Sequence, residues 1–96
     1  MFDFMNMYGN YEERLVENTK INGAVIDTVM VTDSYEPYET GIAHPNFNDG
    51  KWIIVEMYNS KEQARAGHKK WVNMFRYSLP KELKDVSTST IKKLTY

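Results

Sequence analysis

His44, His68, Glu39 and Glu56 are the side chains best suited to acid–base or metal chemistry in this chain, and all four fall in the stretch 37–71, PYETGIAHPNFNDGKWIIVEMYNSKEQARAGHKKW. Imidazole is the side chain whose ordinary titration lies near neutral pH. A metal site would need both imidazoles to converge with a carboxylate such as Glu39 or Glu56. No ligand pair has the helical or turn spacing, HxxxH for example, that makes such convergence easy. Catalysis by His44, His68 and Glu56 would likewise require the three to share a cleft. The rest of the chain offers little else: no GxSxG, no Walker loop, no GxGxxG and no paired-carboxylate motif. Ser34 and Ser60 read as turn and cap residues, and the glycines are scattered singly, so none forms a phosphate cradle. The absence of cysteine excludes disulfides, thiolate zinc sites and a cysteine nucleophile, and fits an intracellular protein. A non-enzymatic protein without cofactor or metal is expected.

Binding chemistry has more support. Arg65, Lys69, Lys70 and Arg76 form a basic helix surface next to Trp71 and Tyr77, a combination able to neutralise the phosphates of a nucleic acid or a nucleotide. Plain solvation of an outer helix face is the competing explanation, and Glu62 dilutes the charge. Globally, twelve Lys and Arg against thirteen Asp and Glu give a net charge of −1, so no overall field draws the chain to nucleic acid or anionic lipid. Seven Tyr, four Phe, two Trp and six Met are many for 96 residues. Tyr, Trp and Met are favoured at interfaces, and a domain this small gains stability by sharing apolar surface, so a homo-oligomer is expected. No apolar run approaches the roughly 20 residues of a membrane span, and the start MFDFMNMYGN lacks the pattern of a signal peptide.

The elements that would position these residues follow from period and turn chemistry. Residues 1–10 read as an apolar arm carrying Phe2, Phe4 and Tyr8, and residues 11–96 as one domain. Asn22 and Gly23 supply the positive φ of a tight hairpin turn between 11–18 and 24–32. The second of these segments alternates as a strand; the first is read as its hairpin partner, with a short helix as the alternative. A loop over 33–37 leads to a strand from Tyr38 to His44, ended by Pro45. After a turn at Asn46 to Gly50, Trp52 to Tyr58 is the most apolar strand and is expected to be central, with Ile53, Val55 and Met57 on its core face. Ser60 with Gln63 three residues on marks a capped helix start. Ala64, Gly67, His68, Trp71, Met74 and Phe75 then form one apolar stripe, and the helix is expected to end near Ser78, ahead of Pro80. On that stripe His68 reads as a packing histidine with one hydrogen-bond partner. Gly67, unfavourable in a helix by about 1 kcal/mol relative to Ala, is expected to admit a close neighbour such as Trp52 or a strand backbone. The segment 85–96 suits either a short helix or a strand. The fold class is α+β: a small antiparallel sheet of about four strands, one main helix packed on one face and a short C-terminal element.

Three stretches, DTVMVTD, PYETGIAHPNFNDGKWIIVEMY and NSKEQARAGHKKWV, together resemble a group of small proteins of unknown role from tailed bacteriophages and prophages. The matching residues are Asp27, Thr28, Tyr38, Glu39, Thr40, Gly41, His44, Pro45, Trp52, Tyr58, Ala64, Gly67 and His68. They cover a little over half the chain; the arm has no counterpart. The resemblance implies phage origin more than a mechanism, and a location in the virion or the host cytoplasm. On that basis the expected function is a homo-oligomeric virion or head-assembly component working through contacts with itself and other phage structural proteins. The alternative is an anti-defence protein that binds a host protein or sequesters a signalling nucleotide. The residues expected to make contacts are Phe2, Phe4, Tyr8, Tyr38, Glu39, His44, Trp52, Arg65, His68, Lys69 and Trp71.

Overall fold

The computed structural model describes residues 11–31 and 35–95. The expected arm, with Phe2, Phe4 and Tyr8, lies outside the described residues. One helical turn, α1 (Tyr11–Arg14), runs straight into β1 (Leu15–Ile21), so both readings of the first segment hold in part. Then come β2 (Ala24–Met30), β3 (Tyr38–Ala43), β4 (Ile53–Tyr58), α2 (Lys61–Tyr77), β5 (Glu82–Asp85) and β6 (Thr90–Lys93). Strands β1 to β4 form one antiparallel sheet in sequence order, and β5 with β6 forms a separate two-stranded hairpin. The fold is α+β, with α2 laid across one face of the sheet.

Turn residues set the register. Asn22 and Gly23 both take positive φ, 51° and 80°, the twist a two-residue hairpin loop requires. Ile21 thereby pairs with Ala24, and Thr28 is carried opposite Glu17. On the other side of β2, Thr28 faces Thr40 and Ile26 faces Ile42. Thr19, Ile26, Thr28, Thr40 and Ile42 therefore share the helix-covered face, since directly opposed residues point the same way.

Strand β4 departs from its expected place in two respects. It lies at the edge of the four-stranded sheet, not at its centre. Its apolar character instead serves contacts on several sides: Ile53 and Val55 sit in the helix-side core, Ile54 packs on the reverse face with Trp52, and the Ile54 carbonyl accepts from Val86 N at 2.8 Å. Its faces also switch. Thr40 pairs with Glu56 while Gly41 pairs with Ile54, which leaves Val55 as an extra residue, a β-bulge. Ile53 faces the helix before the bulge; Glu56 and Tyr58 face it after. Strict alternation placed Glu56 and Tyr58 on the wrong side for that reason.

Helix α2 starts as its cap residues require. Ser60 Oγ accepts from Gln63 N at 3.2 Å, and Gln63 Oε1 accepts from Asn59 N at 3.1 Å. Its buried residues are Ala64, Gly67, His68, Val72 and Phe75, whereas Met74 is 45 % exposed, so the apolar stripe runs through Val72 instead of Met74. The core beneath contains Ile26, Ile42, Phe47, Ile53, Val55 and Phe75, joined by Leu83 from β5. The C-terminal segment, open to either structure by its sequence, is the β5–β6 hairpin. It is tied down where Thr95 N donates to the Asn46 carbonyl at 2.8 Å.

Candidate functional site

The polar residues of the helix-covered face form one continuous chain across the sheet. His68, with no exposed surface, places Nε2 2.9 Å from Thr19 Oγ1 of β1 and Nδ1 2.7 Å from Thr28 Oγ1 of β2. Thr28 Oγ1 is 2.6 Å from Thr40 Oγ1 of β3, which is 2.9 Å from the Tyr58 hydroxyl of β4. Tyr58 donates to Glu56 Oε1 at 3.2 Å, and the same oxygen accepts from Lys70 Nζ at 2.6 Å and Trp71 Nε1 at 2.8 Å.

The direction of every proton in this chain follows from its end. Burial alone would raise the Glu56 pKa, but the hydrogen bonds from Lys70 and Trp71 and the Lys70 charge hold it below the usual value, so Glu56 is a carboxylate that only accepts. Tyr58 has one proton and gives it to Glu56. Thr40 must then donate to Tyr58, Thr28 to Thr40, and His68 Nδ1–H to Thr28. That leaves His68 Nε2 as the acceptor of the Thr19 hydroxyl proton. Burial of His68 lowers its pKa, against the raising influence of Glu17 and Asp27, and so favours this neutral tautomer. Glu17 Oε2 stands 3.9 Å from Nε2, too far for a hydrogen bond, and with a neutral ring the contact is not an ion pair. The Tyr58 phenol is pushed up to about 12, first by burial, and stays protonated.

His68 is thus the packing residue expected of it, with two hydroxyl partners in place of one. The close neighbour admitted by Gly67 is Tyr58, not Trp52 or a strand backbone: a Cβ on Gly67 would lie 2.2 Å from the Tyr58 hydroxyl oxygen. His44 has a separate task. Its Nδ1 accepts from Asn46 N at 3.0 Å, its ring meets Phe47 edge-on at 5.9 Å, and its Nε2 lies over Gly23. Gly23, in the turn before β2, and Thr28 are five residues apart, roughly 16 Å of extended chain, so the two imidazoles do not share a cleft. The His44, His68 and Glu56 trio is not assembled. Among the described residues no cluster of three or more His, Asp or Glu is placed to hold a metal.

The reverse face of the sheet holds a second polar group. Asp27, fully buried, accepts from the Tyr11 hydroxyl at 2.5 Å and from Asn18 Nδ2 at 2.7 Å, both on Oδ1, while Oδ2 has no hydrogen-bond partner among the described residues. Burial raises its pKa, against the opposing influence of those hydrogen bonds and of Arg14. Glu39 lies on this same face, 8 % exposed. Burial, then the neighbouring Asp85 charge, raises it from 4.5 to about 7. Because its folded value is the higher one, the favourable protonated state is fully present below 4.5 and is lost as pH rises through about 7. Replacing Glu39 with Gln is therefore expected to stabilise the fold by about 3 kcal/mol at pH 8 and to be neutral near pH 4, measured by urea unfolding at the two pH values.

Of the remaining expected contact residues, Trp52 packs on the reverse face beside Val29 and Val31, and Trp71 sits over Glu56 on the helix side. Tyr38 pairs with Met30 and Tyr58. Trp52 and Trp71 thus lie on opposite faces of the sheet and cannot line one pocket with Arg65 and Lys69. Those two cations, with Arg76, instead border a cleft of about 520 Å³ between α2 and β1, where Glu17, Thr19 and His68 form the opposite wall and floor. A shallower groove of about 440 Å³ on the reverse face is lined by Tyr11, Leu15, Asn18, Lys20, Val25 and Trp52.

Thr19, Thr28, Thr40 and Tyr58 were missing from the expected contact set. The available signal was a run of hydroxyl residues at helix-facing positions of adjacent strands, where aliphatic residues would ordinarily be placed.

No protein-family model, curated protein or solved structure matches this chain.

Proposed function

We propose that the chain acts by contact and not by catalysis, as a non-enzymatic, phage-encoded protein that assembles with copies of itself or with other virion proteins. The observation that carries this reading is the hydroxyl–imidazole chain of the helix-covered face. Its hydrogen-bonding groups are matched to one another, so His68, Tyr58 and Glu56 are engaged in fixing the helix to the sheet. The contact surface is taken to include the outer end of α2. There Met74 and Tyr77, one helical turn apart, are 45 % and 88 % exposed. Apolar bodies of this kind at the surface of a small domain are suited to an interface.

Light scattering tests the assembly. The expected mass is a multiple of the 11.3 kDa monomer, and Met74→Lys with Tyr77→Lys is expected to lower it while leaving the circular dichroism of the fold unchanged. A wild-type monomer at about 100 μM, ten- to a hundredfold above the Kd of a typical micromolar association, would overturn the reading. Proteomics of purified particles addresses the virion role, and absence from the particle would reject it. The second reading, a host-directed anti-defence protein, is favoured by one observation, the cationic cleft between β1 and α2.

A further inference from the structure

The basic residues of α2 divide into two groups. Lys70 is taken up by Glu56 at 2.6 Å. Arg65, Lys69 and Arg76 are exposed and have no ion-pair partner among the described residues. Spacings of four and seven residues put these three on one side of the helix, one above another. That side is the wall of the 520 Å³ cleft, a size typical of small-molecule sites, for which about 300 to 1,000 Å³ is usual. Thr19, held in the hydroxyl chain, lines the cleft with Val72 and Asn73, above the fully buried His68. The cleft's one opposing charge among the described residues is Glu17, on the β1 rim with its side chain 56 % exposed.

We propose that this cleft binds the phosphate group of a small phosphate monoester. Arg65 and Lys69, one helical turn apart on the wall of the cleft, suit a single dianionic phosphate, with Arg76 farther along the same wall, and guanidinium–phosphate hydrogen bonds are charge-assisted and bidentate. Single-stranded nucleic acid is the poorer match. Among the described residues no Phe, Tyr or Trp lines the cleft to stack a base, since Trp71 is hydrogen-bonded to Glu56 and Tyr77 is outside the lining. The site holds for either biological role and does not depend on self-assembly.

Isothermal titration calorimetry of the full chain at low salt tests it, with ribose 5-phosphate, inorganic phosphate, dimethyl phosphate and a short single-stranded oligonucleotide as probes. Ribose 5-phosphate is expected to bind with a Kd of about 1 mM or tighter. Inorganic phosphate binding equally well means that the site reads the phosphate alone; weaker binding means that it also reads the sugar. Both agree with the proposal. Dimethyl phosphate, a monoanion, is expected to bind at least about tenfold more weakly. Arg65→Ala and Lys69→Ala should each weaken ribose 5-phosphate by about tenfold, whereas Glu17→Gln should tighten it by about threefold. Lys61→Ala, at the far end of α2, should leave affinity unchanged. Thermal unfolding of each variant confirms that these exposed substitutions leave the fold intact. No heat from either phosphate at about 10 mM, affinity indifferent to Arg65 and Lys69, or binding of the oligonucleotide alone would overturn the proposal.

Discussion

Replacing Gly67 with Ala is expected to destabilise the domain by about 3 kcal/mol, the opposite of what helix propensity predicts. In an exposed helix interior the change would stabilise by about 1 kcal/mol. Here the added methyl would sit 2.2 Å from Tyr58 Cε1 and the Tyr58 hydroxyl, well inside any real carbon contact. The ring cannot simply swing away. It is 5 % exposed, and its hydroxyl is held by Thr40 at 2.9 Å and Glu56 at 3.2 Å, so relief means breaking hydrogen bonds worth about 1 kcal/mol each or lifting α2 off the sheet. Urea unfolding gives the sign directly. A Gly67→Ala protein more stable than the wild type would show that helix and sheet do not approach this closely. Tyr58→Leu, which makes room, should recover part of the loss, and the double-mutant cycle should give a coupling of about 1 kcal/mol or more.

His68→Ala should cost about 3 to 4 kcal/mol at pH 8, with a cavity and two lost hydrogen bonds contributing together. Its pH dependence distinguishes this residue from an ordinary core side chain. The folded-state pKa of His68 is lowered by burial, with Glu17 and Asp27 opposing. The neutral ring therefore contributes its full stabilisation above the ordinary imidazole value of 6.5, and that contribution is lost as pH falls through the folded value. The difference between wild type and His68→Ala should be largest above pH 7 and should shrink toward pH 5. A pH-independent difference would mean that the ring is not held neutral by the hydroxyl chain. The Glu39 titration runs the other way, so the comparison is cleanest in the Glu39→Gln background.

Local features were legible where local chemistry alone decides. Asn22–Gly23 gave the hairpin because both residues accept positive φ, and Ser60 with Gln63 gave the start of α2 because their side chains satisfy its first N–H groups. His68 was readable as a packing residue from its place on the apolar stripe. Period two along β4, by contrast, predicted the wrong faces after Val55. One inserted residue inverts every later side chain, and no residue type announces a bulge.

The α+β class, the order of the main strands and helix, the capped start of α2 and the line of cations along it can all be read from residue order. These depend on residues within a turn or two of each other. What those residues face depends on how the elements pack. Register brought Thr19, Thr28, Thr40 and Tyr58, from four different strands, into line beneath one histidine; the bulge at Val55 turned Glu56 toward Lys70 and Trp71; and the sheet separated His44 from His68 and Trp52 from Trp71. Hydrogen bonds between residues up to 53 positions apart depend on the packing of whole elements, which short-range spacing does not encode.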